Sequence, residues 1–169
     1  MPSPTPSRIM PPTPAFHLRP LAPHHYGDVA TLMAGSDPWV TLGVTEEHAL
    51  RSLMEHPIPG IVAEEEPGGR LLGFVRYEPR GFIGYSAYIR TVAVAPEARG
   101  QKVGEAMVRH VEELVFRHVP LLFLFCSSFN PRGQAFYTRL GYARVGEVAG
   151  MIVPQHGEVL FVKRRPEAG

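Results

Sequence analysis

The sequence predicts an α/β or α+β fold built around a central mixed sheet. Segments rich in β-type residues alternate with segments whose apolar residues recur at helical spacing. A hairpin signal comes before this alternation, because residues 65–69 (Glu-Glu-Pro-Gly-Gly) separate two apolar runs. A chain of 169 residues, 44% of them hydrophobic and 20% charged, is long and apolar enough for one domain with a core.

Seven segments are predicted as strands, each ended by proline, glycine or a polar turn. The segment 121–125 is uniformly apolar and is predicted to be fully buried. Residues 81–84, with two glycines, are expected to form a loop. The predicted strands are 16–20, 58–64, 71–77, 85–94, 121–125, 142–148 and 158–163.

Four segments are predicted as helices, at 24–33, 45–55, from 103 to about 118, and 130–141. Thr45 is expected to cap the second helix, because two glutamates follow it in the first turn. In the last helix, proline is expected at the first helical position and Gly141 at the C-terminal end.

Charge and cysteine content exclude several classes of protein. A net charge of +1 argues against binding nucleic acid or an anionic membrane through bulk attraction. The longest apolar run, 119–125, is too short to span a bilayer. The single cysteine, Cys126, excludes an internal disulfide framework and favours a reducing compartment, so a cytoplasmic location is predicted.

Residues 1–15 contain six prolines and one charged side chain, without the apolar core of a secretory signal. They are interpreted as a disordered, proline-rich tail or a misassigned start, and residues 16–165 as one domain. The eight histidines lack the i,i+4 spacing of a helical zinc pair, so no metal site is predicted.

Residues 92–106 carry the main functional signal. A β-type run ends at Pro96, a basic turn containing Gly100 follows, and an amphipathic helix begins near Val103. This order directs free backbone N–H groups and a helix N-terminus at one point, which attracts phosphate. Arg99 and Lys102 add positive charge at the same place.

A second motif, 130–142 (Asn-Pro-Arg-Gly-Gln-Ala-Phe-Tyr-Thr-Arg-Leu-Gly-Tyr), follows the buried strand. The two motifs in this order resemble the GCN5-related N-acetyltransferase (GNAT) family, over roughly residues 61–162. The resemblance implies an α+β acyl-CoA N-acyltransferase fold. Its sheet is mixed but mostly antiparallel, with about six to seven strands and about four flanking helices. It also implies acetyl-CoA as the cofactor.

By this resemblance, the turn after the fourth strand wraps the pyrophosphate of acetyl-CoA. Lys102 stands where the family usually has a glycine. Either the turn keeps negative φ throughout, or Lys102 is mildly strained and its ammonium reaches a phosphate. The implied cofactor-binding residues of the turn are Arg99, Gly100, Gln101, Lys102, Val103, Gly104 and Glu105.

The resemblance also assigns roles in catalysis. The backbone of Val92, Ala93 and Val94 is expected to pair with the pantetheine arm, with the Val94 N–H stabilising the oxyanion. Tyr137 aligns with the family's catalytic tyrosine and is expected to protonate the departing sulfur. Asn130 matches a position that contacts the pantetheine arm.

The base and the acceptor stay open. Candidate bases are Glu64, Glu78 and Glu147, with His24 and His25 behind them, and the apolar segment 121–125 is excluded. The acceptor is expected among residues 37–43, 82–85 and 146–151. Trp39, beside Asp37, is either an aromatic wall for a cationic amine or a packed core residue.

The predicted function is transfer of an acetyl group from acetyl-CoA to the primary amine of a small-molecule or peptide acceptor. The transfer is expected to proceed by direct attack in a ternary complex. The alternative is a non-catalytic acyl-CoA-binding or sensing module on the same fold. A homodimer formed through late strands is a further expectation from the family.

Overall fold

The computed structural model describes residues 16–167, which form one seven-stranded sheet in the order β1-β2-β3-β4-β5-β7-β6. Within these residues, β4 and β5 run parallel and the other neighbouring pairs run antiparallel. The strands are β1 (His17–Pro20), β2 (Gly60–Glu64), β3 (Leu71–Phe82), β4 (Ser86–Val94), β5 (Leu121–Ser127), β6 (Ala143–Ala149) and β7 (Gly157–Arg164). The predicted tail, residues 1–15, lies outside the described residues.

Four α-helices cover the sheet: α1 (Tyr26–Ala34), α2 (Glu46–Glu55), α3 (Val103–Val115) and α4 (Pro131–Arg139). The Thr45 hydroxyl accepts a hydrogen bond of 3.2 Å from the His48 N–H, as expected for the predicted cap of α2. Together with the sheet order, these helices confirm the predicted fold: a mixed, mostly antiparallel sheet flanked by four helices.

Each helix packs its apolar side on the sheet, two helices on each face. In α3, Val103, Met107 and Val111 recur every four residues and are fully buried. They join Tyr137 of α4 in one core cluster, which defines the α3/α4 face. Val29 of α1 and Leu53 of α2 pack with Phe74 in a second cluster, which defines the α1/α2 face.

Two local predictions are wrong in detail. β5 is longer than predicted and is not fully buried, because its side chains alternate between the two faces: Leu122, Leu124 and Cys126 are buried, whereas Phe123 and Phe125 are half-buried. β3 extends to Phe82 and so includes the first two residues of the loop predicted at 81–84. Residues 78–82 still pair with β4 across a bulge, which extends the strand.

The parallel pair β4–β5 is short. Its paired residues run only from Ala87 with Leu122 to Ile89 with Leu124. Beyond them the strands diverge, while β4 stays paired with β3 as far as Val94. A gap therefore opens in the middle of the sheet.

No helix within residues 16–167 is long and apolar enough to cross a membrane.

Candidate active site

A cavity of about 870 Å³ occupies the gap between β4 and β5, and is called the central cavity here. Its walls come from β4, the end of β5, the first turn of α3 and most of α4. The loop after α1 and two residues near or in β7, Ile152 and Glu158, complete the lining. One cavity therefore joins both predicted sequence motifs.

Free backbone groups of β4 line the gap. The Ala95 N–H donates to the Leu72 carbonyl at 2.8 Å, so at this residue β4 bonds towards β3. Because successive N–H groups of a strand point to opposite edges, those of Val94 and Val92 point towards the gap. This is the orientation required for pairing with a cofactor and for stabilising an oxyanion.

The turn before α3 supplies a second set of free N–H groups. The first hydrogen bond of the helix runs from the Ala106 N–H to the Lys102 carbonyl at 2.9 Å. The N–H groups of Val103, Gly104 and Glu105 precede it and have no partner within the helix. We call this set, together with the turn at Arg99–Lys102, the amide cradle.

Lys102 adopts the left-handed conformation, with φ of 62°, and Gly100 precedes it at 80°. Of the two predicted alternatives, the structure therefore shows the strained one. A non-glycine residue in this region costs about 1–2 kcal/mol. The turn nevertheless brings the start of α3 close to β4, since a Cβ on Gly104 would lie 3.2 Å from Cγ2 of Val94.

Four basic side chains line the cavity without a salt bridge to any residue in 16–167. They are Arg99, Lys102, Arg132 and Arg139. The sequence analysis missed the two on α4. Their spacing of seven residues, two helical turns, was the signal that could have placed them on one helix face. Free cations beside the amide cradle make this end of the cavity suitable for a phosphorylated ligand.

Most predicted cofactor-binding residues line the cavity: Val92, Ala93, Val94, Arg99, Gly100, Lys102, Val103, Gly104, Glu105, Asn130 and Tyr137. Gln101 does not, because its side chain is exposed and donates to the Glu97 carbonyl at 3.0 Å. Asn130 caps α4, its Oδ1 accepting from the Gly133 N–H at 2.9 Å. That cap fixes the start of the helix that carries Tyr137.

Tyr137 reaches the cavity from α4 and is 9% exposed. Its ring packs against Phe136, Tyr142 and Phe161, at centroid distances of 5.1, 5.8 and 6.1 Å. Burial, together with nearby Cys126 and Tyr88, raises the pKa of the Tyr137 phenol. The phenol therefore keeps its proton at neutral pH and is available as a donor.

A sequence model of the Acetyltransferase (GNAT) family matches residues 29–142, more than half of the chain. The chain belongs to the GNAT acetyltransferase family. The resemblance noted from the two motifs is thereby confirmed. The matched region contains β4, the amide cradle and Tyr137, which together form a large part of the cavity lining.

One curated acetyltransferase is similar in sequence. The chain is 32% identical over 105 residues to the L-2,4-diaminobutyric acid acetyltransferase of Bordetella parapertussis. The aligned region covers 62% of this chain and 55% of that relative. The alignment thus spans about half of the curated relative's length.

Two solved structures share the fold. Ard1 from Thermoplasma volcanium is 18% identical, with a TM-score of 0.74 over 90% of this chain and 99% of that one. An aminoglycoside 6'-N-acetyltransferase complexed with coenzyme A is 16% identical, with a TM-score of 0.69 over 90% of this chain and 99% of that one.

Cys126 forms part of the wall of the GNAT cavity. Burial, with a smaller contribution from nearby Glu158, raises the pKa of the Cys126 thiol to about 12. A thiol with this pKa stays protonated at neutral pH and is a weak nucleophile. This agrees with the inert buried thiol expected from the sequence.

The opposite end of the GNAT cavity is lined by the loop after α1. Trp39 stacks on Phe74, with ring centroids 6.4 Å apart, as predicted for a packed residue, and it also lines the cavity. Its role as a wall for a cationic amine stays a prediction. Asp37 Oδ1 accepts hydrogen bonds from the N–H and hydroxyl of Thr41, at 3.3 and 2.7 Å. Residues 82–85 and 146–151, in which the acceptor was also expected, do not line the cavity. Phe82 instead stacks on Phe123, with ring centroids 4.0 Å apart.

None of the bases proposed from the sequence lines the cavity. Glu64 lies 3.2 Å from His25 Nε2. Glu78 and Glu147 each pair with an arginine at 3.1 Å. These carboxylates anchor strands and turns, and His24, which is exposed, does not reach the cavity either.

Glu158 is the buried carboxylate that the sequence analysis missed. It begins β7, lines the cavity and is 3% exposed. Ser127, its cross-strand partner in β5, donates a hydroxyl hydrogen bond of 2.9 Å to Glu158 Oε1. Burial raises the pKa of Glu158, and the hydrogen bond from Ser127 and the proximity of His156 partly offset that shift.

Proposed function

We propose that this GNAT protein transfers an acetyl group from acetyl-CoA to the primary amine of an acceptor by direct attack within a ternary complex. One observation carries the proposal: the amide cradle, the Val94 N–H and the Tyr137 phenol converge on one cavity. Each supplies something that the reaction needs. The cradle binds a diphosphate, the N–H stabilises an oxyanion, and the phenol protonates a leaving thiolate.

The donor is acetyl-CoA, supported by family membership and by the coenzyme A complex of the related aminoglycoside acetyltransferase. Its pyrophosphate fits the amide cradle beside Arg99 and Lys102, where helix N–H groups and positive charge coincide. Its pantetheine amides fit the gap between β4 and β5 and pair with the free groups of Val92 and Val94.

The chemistry then proceeds without a covalent enzyme intermediate. The lone pair of a neutral amine attacks the thioester carbon and forms the C–N bond, while the carbonyl oxygen takes up negative charge opposite the Val94 N–H. When the C–S bond breaks, its electron pair stays on sulfur, which receives the proton of Tyr137. The cationic nitrogen loses a proton to the phenolate, which restores the phenol and leaves a neutral amide.

A direct route agrees with the state of the thiol in the cavity wall. An acetyl-enzyme would need a nucleophile, and the pKa of Cys126, raised to about 12, keeps that thiol protonated. The cavity of about 870 Å³ also extends from the amide cradle to Trp39, so donor and acceptor have room to bind together.

The acceptor class is a small molecule or peptide with a primary amine. The names of the relatives describe amine acceptors, diaminobutyrate and aminoglycosides, which supports a cationic acceptor. Aromatic Trp39 and the carboxylates Asp37 and Glu158 at this end of the cavity suit an ammonium group.

Location and assembly belong to the proposal as well. We expect the protein to act in the cytoplasm, where its single thiol stays reduced. A homodimer through the late strands is compatible with the position of β6 at one end of the sheet order, bonded only to β7 among residues 16–167. Light scattering coupled to size-exclusion chromatography measures the assembly directly.

The first test is ligand-dependent thermal unfolding with CoA, acetyl-CoA and longer acyl-CoAs. Acetyl-CoA at about one hundred times its Kd stabilises the fold by about 2.7 kcal/mol. The second test is release of free CoA on incubation with acetyl-CoA and a panel of amines: 2,4-diaminobutyrate, an aminoglycoside and a short peptide with a free N-terminus. Stabilisation without turnover of any amine would identify the non-catalytic acyl-CoA-binding alternative.

A further inference from the structure

A buried carboxylate in the central cavity has one oxygen to spare. Glu158 is 3% exposed and its Oε1 is held by the Ser127 hydroxyl at 2.9 Å, but Oε2 has no hydrogen-bond partner among residues 16–167. Oε2 is not one of the fully enclosed polar atoms without a partner in these residues, so it is accessible from the cavity that Glu158 lines. The lining of the cavity therefore carries an acceptor site for a proton-bearing ligand group.

We propose that Glu158 binds the ammonium group of the acceptor and takes its proton before attack. This inference rests on the proposed acetyl transfer and assigns the base that it requires. Oε1 stays with Ser127, and Oε2 receives the ammonium. Such a residue touches the reacting nitrogen and is catalytic.

Sheet geometry places Glu158 on the side of the gap opposite Tyr137. The next residue in β7, Val159, belongs to the core on the α3/α4 face, as does Tyr137. Because side chains alternate along a strand, Glu158 lies on the α1/α2 face, where the Trp39 loop also lies. A thioester in the gap thus has the proton acceptor on one side and the proton donor on the other.

The other carboxylates in the lining are poorly suited to this role. Asp37 is exposed and its Oδ1 already accepts two hydrogen bonds from Thr41. Glu105 lies in the amide cradle, 3.8 Å from the Arg109 guanidinium, at the end that suits phosphate. Of the three, Glu158 alone is both buried and free of a cationic partner within 4 Å among the described residues.

The surroundings of Glu158 favour a proton acceptor. The titratable groups near it are Tyr88 of β4, Cys126 of β5 and His156 before β7. Burial raises the pKa of the carboxyl above its ordinary value. A base is most effective when its pKa lies nearer the working pH, so this shift supports the role.

The proton step balances simply. Glu158 Oε2 accepts one proton from R–NH3+, which yields a neutral carboxylic acid and a neutral amine whose lone pair is free to attack. No bond to carbon forms or breaks in this step. After the product leaves, the carboxyl returns its proton to water and the carboxylate is restored.

The test compares Glu158→Gln with wild type and with Glu113→Gln, a matched loss of charge at an exposed carboxylate of α3 that does not line the cavity. Glutamine keeps the size of the side chain and can still accept from Ser127. With the most active amine of the panel, E158Q is expected to lower kcat/KM by about 10²–10⁴-fold, while E113Q stays within about threefold of wild type. The Kd of acetyl-CoA is expected to be unchanged in both variants.

The pH profile separates catalysis from structure. In wild type, kcat/KM is expected to rise with pH as Glu158 loses its proton, and this ionisation should vanish in E158Q. Because folding raises the pKa of Glu158, its ionised carboxylate lowers the free energy of unfolding at pH values above the pKa of the unfolded state. E158Q, which has no charge there, should therefore have a free energy of unfolding at pH 7 at least equal to that of wild type. Glu158→Asp, which keeps a carboxyl, should retain the ionisation with an intermediate loss of rate. This variant replaces E158Q in the test if E158Q fails to fold.

The outcomes are distinguishable. If wild type acetylates an amine and E158Q keeps its rate and pH profile, the assignment of Glu158 is wrong and the proposed function stands. If E113Q loses as much activity as E158Q, the effect is general electrostatics and the assignment is again overturned. If wild type binds acetyl-CoA but acetylates no amine, the proposed function fails, and the role of Glu158 fails with it.

Discussion

The two ends of the central cavity are built in different ways. At the proposed cofactor end, main-chain groups from one continuous stretch, residues 92–105, supply most of the expected contacts. At the proposed acceptor end, side chains come from distant parts of the chain: Trp39 after α1, Ser127 in β5 and Glu158 in β7. The first end depends on local backbone geometry, whereas the second depends on the tertiary fold.

This difference teaches which changes the molecule should tolerate. Every residue except proline has a main-chain N–H group, so the proposed cofactor end tolerates other substitutions wherever the backbone angles are kept. The acceptor end changes with every side chain that lines it. Substitutions that separate donor binding, acceptor binding and chemistry are therefore the sharpest tests of the comparison.

The largest expected effect concerns Cys126, in the wall between the two ends. With its pKa raised to about 12, the thiolate fraction at pH 8 falls by about a thousandfold relative to an ordinary thiol. A more basic thiolate is also a stronger nucleophile, which offsets part of this loss. Iodoacetamide should therefore label the native protein at pH 8 at least about 100-fold more slowly than the urea-unfolded chain, as measured by mass spectrometry. Labelling of both at similar rates would reopen a covalent route through the thiol.

The next largest effect is expected for Tyr137→Phe. Loss of the phenolic proton donor should lower kcat by about 100-fold. Phenylalanine keeps the ring that packs against Phe136 and Tyr142, so acetyl-CoA should still bind with wild-type affinity, as measured by calorimetry. A weakened Kd would instead show that this tyrosine belongs to the cofactor end.

Arg99→Ala should affect the cofactor end alone. Loss of a charged hydrogen bond to a phosphate costs about 1.5–3 kcal/mol, so the Kd of CoA should rise by at least about tenfold. The matched control is Arg117→Ala, an exposed arginine that does not line the cavity. Equal losses in the two variants would mean that CoA senses net charge rather than the amide cradle.

Trp39→Ala should affect the acceptor end alone. Removing an aromatic face from a bound ammonium costs about 1 kcal/mol, which corresponds to a rise of about fivefold in the amine KM. The Kd of acetyl-CoA is expected to stay constant. Because Trp39 also stacks on Phe74, thermal unfolding has to be measured in parallel. An altered donor Kd would indicate that the two ends are coupled.

The smallest effect is expected for Lys102. Glycine relieves the strain of a left-handed φ of 62°, and after its larger unfolded-state entropy it should stabilise the fold by at most about 1 kcal/mol. Lys102→Ala removes the same charge and keeps the strain. Urea unfolding should therefore separate the two variants, while both bind CoA more weakly than wild type. Equal stability of K102G and K102A would show that the turn is not strained.

The same contrast explains what the sequence could predict. The amide cradle was predictable because a strand end, a basic glycine turn and a helix start are consecutive in the chain. Tyr137 was singled out only through the family resemblance of the second motif, and the structure places it in the lining of the same cavity. The conformation of Lys102 was not, since the motif allowed either sign of φ and tertiary packing of α3 on β4 decides it.

Glu158, the proposed base, was missed for a physical reason. Treating 121–125 as fully buried hid the alternation of β5, and no local pattern shows that Ser127 lies opposite Glu158. That pairing depends on the register of two strands 31 residues apart. Glu64, Glu78 and Glu147 were plausible by residue type alone, but their partners are elsewhere in the fold.

The short pairing of β4 with β5 also has a consequence for how quickly the protein is degraded in a cell. Beyond Ile89 of β4 and Leu124 of β5, main-chain groups lack the neighbour that an uninterrupted sheet would give them. If the thioester binds there as proposed, molecules without it should open locally and be cut by proteases sooner than molecules that carry it. The abundance of the protein would then follow the supply of its donor.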